Sequence, residues 1–340
     1  MRDEVPSSDG RARGARRKQS AGLDIHAALN DDALTAVEVN IGGRVIQAFR
    51  GIALALLALP IAGAAVAADK KILFLAGERD HGAPGRHEYG RDLRTLAHSF
   101  ENSTNLEHVT TQVIVGKAPR DLALYKDVSV IVIDSSSDRA ENEVHPLFPQ
   151  DPSTNHRGYD AETTAYLKAL DELIEQNKIG IVILHYATWA ENWRAREYYL
   201  NWTGGLWVQI ASKNPQDDWA MKPLARHPIL RGVKPWKYRD EIFCRFLLPN
   251  DKRRTDLLLA TPQADKLNVG PQIASFAYQR DDGGRGFVFG GLDFRDNLAL
   301  DNYRRFLMNG IAWAARIEIP KAGVQSPTPD VSDVTPRAVK

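Results

Sequence analysis

Three short, continuous apolar runs constrain this chain more than any other feature. They are KILFL at 71–75, VIVI at 130–133 within the strand DVSVIVIDSSSD (127–138), and IVIL at 181–184 within the strand IVILHY (181–186). A strand that is apolar on both faces must be covered on both faces, which is the position of a central strand in a parallel sheet. Between the runs lie stretches of helical period. Residues 89–102 space Leu93, Leu96, Ala97 and Phe100 along one face. Residues 158–180 do the same with Tyr166, Leu167, Leu170, Leu173 and Ile174, with Asp160 as N-cap and Gly180 as the stop. Strands alternating with such helices predict an α/β fold with a doubly wound, mostly parallel sheet.

Further strands are expected at 108–116, 241–248, 256–261, 273–280 and 286–292. The last two are joined by DDGGRG (281–286) as a hairpin, and 301–317 closes the fold as a helix. This part reads as an antiparallel C-terminal extension. The domain is expected to span 69–319, and the Pro/Ser/Thr-rich segment 320–340 to be a disordered tail.

Upstream, GIALALLALPIAGAAVAA (51–68) follows Arg44 and Arg50 and ends in small residues, so 44–68 reads as a secretory signal peptide. The alternative is an N-terminal membrane anchor, since the apolar run approaches a spanning length. Residues 1–43 read as a disordered arm or as an extension from an early start. The expected location is periplasmic or secreted, with no stable membrane insertion after cleavage. A net charge of +1 gives no reason to expect nucleic acid as a partner, and the basic run 11–18 reads as solvated tail. Cys244 is the one cysteine, which excludes an internal disulfide and a multi-cysteine metal site; among Phe and Ile it reads as an inert core thiol.

Ligands of open parallel sheets bind outside the carboxyl ends of the strands. After the first run come Arg79, Asp80, His81, His87 and Glu88; after the second, Asp134, Ser135, Ser136 and Asp138, with His145 beyond; after the third, His185, Tyr186, Thr188 and Trp189. His81, His87 and His185, with a carboxylate such as Glu88, are of the types that hold a divalent metal such as zinc. Two other readings stand beside that one: the histidines bond loop backbone, or they bind sugar hydroxyls. Trp189, Trp193, Trp202, Trp207 and Trp219 suit either sugar stacking or packing of a helix onto the sheet. No G-x-S-x-G, phosphate loop or dinucleotide fingerprint is present.

The ordered series KILFLAGERDHGAPGRHEYG, VIVIDSSSD, GIVILHYATW, NWTGGLW, ARHPILRGV, RDEIF and DGGRGFVFGG resembles the trehalose-utilisation (ThuA-like) family. The resemblance implies a class I glutamine amidotransferase-like fold, a variant of the flavodoxin-like sheet. It marks His81, Gly82, His87, Glu88, His185, His227, Pro228, Asp240 and Glu241. Where the family tends to place a His after the last Gly-Gly, this chain has Leu292 and then Asp293. The fold's glutaminases carry a Cys after the strand matching IVIL; His185 and Tyr186 stand there, so glutaminase activity is not expected.

The implied function is carbohydrate metabolism. The expected enzyme is an isomerase, lyase or hydrolase acting on a disaccharide or keto-sugar by acid/base chemistry, with or without a metal. His87 or His185 would be the base and Glu88 or Glu241 the acid. Arg79, His81, Asp134, Ser136, Tyr186, Trp189, Asp240 and Asp293 would bind the small-molecule carbohydrate, and His81, His87 and His185 any metal. The alternative is a non-catalytic carbohydrate-binding or accessory envelope protein.

Overall fold

A computed structural model describes residues 69–139, 144–149 and 158–331, and the backbone of 39–41 and 44–46. The chain divides into units 1–65 and 66–340. In the first, β1 (Val39–Ile41) pairs antiparallel with β2 (Arg44–Ile46). The basic run 11–18 and the apolar run 51–68, on which the signal reading rests, lie outside the described residues. Among the described residues, no helix is long and apolar enough to cross a membrane.

The second unit is built on one sheet. Its strands are β3 (Lys70–Ala76), β4 (Val109–Val115), β5 (Val128–Asp134), β6 (Gly180–Leu184), β7 (Gln216–Pro223), β8 (Trp236–Glu241), β9 (Arg254–Pro262), β10 (Gln272–Gln279) and β11 (Arg285–Phe289). Their spatial order is β4-β3-β5-β6-β11-β10-β9-β7-β8. The five strands from β4 to β11 are parallel; every pairing from β11 to β8 is antiparallel. The α/β class holds, but the sheet is mixed rather than mostly parallel, because the antiparallel extension joins the same sheet edge to edge.

The helices are α1 (Tyr89–Glu101), α2 (Ala161–Asn177), α3 (Trp193–Thr203) and α4 (Asp301–Ala314). They cover both faces, as β11 shows. Phe287 and Phe289 pack against Phe306 of α4, while a Cβ on Gly286, one residue over, would collide with the backbone of α3 at Trp202. Alternate β11 side chains thus meet different helices. The three apolar runs are almost wholly buried, as a strand covered twice must be. Asp160 caps α2, its carboxylate accepting from Thr163 N at 2.7 Å. The stop is not Gly180, which already lies in β6; the left-handed residue is Lys178, at φ 56°.

Two expectations at the C-terminal side are corrected. Residues 241–248 are not a strand: β8 ends at Glu241, and beyond it only single bridges form, at Cys244 and Leu247. Residues 320–331 are packed rather than loose. Val324 is buried and donates its N–H to Asn309 Oδ1 at 2.8 Å, and Gln325 exchanges bonds with Thr104 and Asn105.

Candidate functional site

The parallel ladders bring the carboxyl ends of four strands level: Ala76 pairs with Asp134, Asp134 with Leu184, and Leu184 with Phe289. The next residues of β6 and β11 are His185 and Gly290, neighbours at one edge. His185 turns at once into a 3₁₀ segment (His185–Thr188), and its Nδ1 donates to the Gly290 carbonyl at 3.3 Å. On its other side Gly290 has no room for a side chain, since a Cβ there would collide with the Phe243 carbonyl.

His87 arrives from the loop after β3. Its Nδ1 lies 2.8 Å from Asp80 Oδ1 and so carries the hydrogen. Tyr89 Oη and the His81 N–H also donate to the Asp80 carboxylate. Burial pushes the Asp80 carboxyl up, but the His87 bond and charge, and then His81, bring it below its ordinary value.

Asp293 arrives from the turn after β11. Its Oδ2 takes Arg86 Nε at 2.6 Å, and its Oδ1 faces His87 Nε2 at 3.3 Å and His185 Nε2 at 3.9 Å. The two Nε2 atoms lie 3.4 Å apart. All three side chains are at most 2% exposed. Three atoms that ordinarily accept therefore face one another out of water. Desolvation, and next to it the neighbouring His87, hold the His185 imidazole well below its usual pKa.

Asp240 builds the turn that delivers Asp293. Its buried carboxylate accepts from the backbone N–H of Leu292, Asp293 and Phe294 at 3.1–3.3 Å, and from Tyr303 Oη at 3.3 Å. These bonds fix the loop. Burial pushes its carboxyl up to about 7. Within that turn Leu292 stands at φ 107°, while His87 and His185 are at 49° and 46°. Non-glycine residues in this region are strained, and here three gather around one point.

Glu241 flanks the centre through Arg86, accepting from its Nη2 at 3.1 Å and from Asn214 at 2.8 Å. Burial, the largest influence on it, raises its carboxyl. Glu88, expected as an acid partner, turns away into ion pairs with Arg91 and Arg295; burial raises its carboxyl, but the Gly85 backbone N–H and then these two arginines bring it below its ordinary value. His81 is exposed; its ring meets that of His87 edge-on with centroids 4.1 Å apart, and its Nδ1 faces Asp80 rather than the three-atom centre.

Tyr186 and Trp189 pack with Phe243 and Trp207 into a buried aromatic wall beside His87. Trp202 is buried against α2, donating to Asp171, whereas Trp193 is exposed. Asp134 and Ser136 are buried beneath the edge, with no hydrogen bond to either Asp134 oxygen or to Ser136 Oγ among the described residues. Arg79 folds back onto the Gly82 carbonyl.

The remaining candidates are engaged in bonds within the fold. His145 Nδ1 accepts from Leu147 and Phe148, and its Nε2 meets Tyr199 Oη at 2.8 Å. His227 caps the short turn Pro228–Leu230. Asp138 ties down Glu191 and Asn192. Cys244 is buried, and burial pushes its thiol up to about 12, which favours the protonated form. Arg86 carried no sequence signal; it sits among glycines, with nothing to mark it as the link between Asp293 and Glu241.

Residues 153–314 match the model of the family described as ThuA, trehalose utilisation. His185, Asp240, Glu241 and Asp293 fall inside that stretch; His87 comes from outside it. A ThuA-like protein from Bacteroides uniformis is similar in structure, at 12% identity, covering 75% of this chain and 94% of its own, with a TM-score of 0.49. A glutamine amidotransferase from Thermotoga maritima follows at 11% identity, 72% and 98% coverage and a TM-score of 0.37. The glutaminase domain of a Trypanosoma brucei CTPS stands at 8%, 75% and 98%, and 0.34. Similarity this remote assigns no activity to this chain. No curated protein matches the sequence.

Proposed function

We propose, for a chain that carries a domain of the ThuA family, that it binds a disaccharide or keto-sugar at the His87–His185–Asp293 centre and moves a proton on it. One observation carries the reading: three loops at the carboxyl edge deliver two Nε2 atoms and one carboxylate oxygen to a common point. Three acceptors so placed hold positive charge between them, and positive charge polarises a sugar oxygen. Glu241 is the proton carrier, because its carboxyl is raised and it stands beside Arg86 at the margin of the centre. Export of the mature domain is part of the same proposal.

The burial of all three centre residues favours a second reading, in which the domain binds sugar without turning it over. A melting-temperature screen of the full chain against disaccharides and their keto derivatives tests both. A ligand at a hundredfold excess over Kd adds about 2.7 kcal/mol of stability. Stabilisation with turnover that Glu241→Gln abolishes supports the enzyme. Stabilisation without turnover supports the binding protein. No shift with any sugar contradicts both.

A further inference from the structure

We propose that His87 Nε2, His185 Nε2 and Asp293 Oδ1 are the ligands of one divalent first-row transition ion, of which zinc is the best fit. The inference goes beyond the sugar reading and stands if that reading fails.

Geometry is the first ground. Ligand atoms about 2.0–2.1 Å from a tetrahedral ion stand about 3.3–3.4 Å apart. The three separations here are 3.3, 3.4 and 3.9 Å. Two imidazoles and one carboxylate also leave a position open on a tetrahedral ion, as in hydrolytic zinc sites.

Tautomers are the second ground. Asp80 takes the Nδ1 hydrogen of His87, and the Gly290 carbonyl takes that of His185. In the neutral rings both Nε2 lone pairs then point into the shared space. These are the outer partners that orient metal-binding histidines: a carboxylate on one, a backbone carbonyl on the other.

The third ground is Asp293. Its Oδ1 is buried without a hydrogen bond among the described residues, although its Oδ2 is doubly bonded by Arg86. A buried carboxylate oxygen left bare is costly, and a cation at the common point removes that cost. Strain at His87, His185 and Leu292 converges on the same point from three separate loops. His81 is not in the ligand set, because its Nδ1 is aimed at an Asp80 carboxylate already engaged by His87 and Tyr89.

The test uses the full chain, stripped with a chelator and titrated with Co²⁺ and then Zn²⁺ alone. The expected result is about one ion per chain, with visible Co²⁺ bands of a four- or five-coordinate centre that Zn²⁺ abolishes. His185→Gln and Asp293→Asn should each weaken binding at least a hundredfold. Asp80→Asn should weaken it about 10–100-fold through the His87 ring, and His81→Ala should still bind one ion. Circular dichroism confirms that each variant is folded. Less than about a tenth of an ion per folded wild-type chain overturns the proposal and leaves a shared proton in the centre; that arm requires no variant to fold. Unchanged affinity in folded His185→Gln or Asp293→Asn, or loss of the ion in His81→Ala, overturns it equally.

Discussion

Asp240 positions Asp293. The Asp240 carboxylate fixes a strained turn by accepting three of its backbone N–H groups, and Asp293 is the side chain that this turn delivers to His87 and His185. Replacing Asp240 with Ala strands those buried donors. The expected cost is about 1–3 kcal/mol, read by urea unfolding. Bound Co²⁺ should be lost with it, although Asp240 touches no ligand atom. Full retention of the ion in a destabilised Asp240→Ala chain would show that the turn does not position Asp293.

Glu88→Gln should behave in the opposite way. Glu88 is nearly buried between Arg91 and Arg295, and removing one partner of such a pair costs about 3 kcal/mol. Ion and sugar binding should persist, since the carboxylate points away from the centre. A stable Glu88→Gln chain that no longer binds either would restore Glu88 to the site.

Much of this was legible. The three apolar runs placed the central strands, and the residues just after them included His87 and His185. What stayed hidden has physical causes. Strand β7, QDDWAMKP, buries Asp217 on its inner face, where the carboxylate accepts from Gln263, Ala264 and Asp265; a charge at a core position hides the alternation. The segment after β8 looks like a strand because it is apolar, yet Arg245 at φ 54° breaks the ladder. The final segment reads as disordered because composition does not show Asn105 and Asn309 capturing its backbone. Loop histidines give no clue to which ring nitrogen faces which partner, so His81 and His87 looked alike.

His145 should make the fold acid-sensitive. Burial holds it down to about 3 when folded, against an ordinary value near 6.5. The unfolded chain therefore binds the proton first. This contribution is fully present above pH 6.5 and is lost as the pH falls towards 3. Asn at 145 keeps an acceptor for Leu147 and Phe148 but does not titrate. Urea midpoints between pH 7.5 and 5 should fall less in His145→Asn than in the wild type; equal slopes would contradict the assignment.

Cys244→Ala should cost about 1 kcal/mol, the size of a small cavity, with metal and sugar binding intact. Loss of either in a folded Cys244→Ala chain would place the thiol in the site after all.

The most direct test of the central claim, that side chains from three loops form one centre, is zinc K-edge X-ray absorption on the zinc-loaded full chain. The predicted spectrum has a shell of nitrogen and oxygen at about 2.0–2.1 Å with the multiple scattering of two imidazoles, falling to one in His185→Gln. A sulfur shell at about 2.3 Å, or oxygen alone without imidazole, would contradict it.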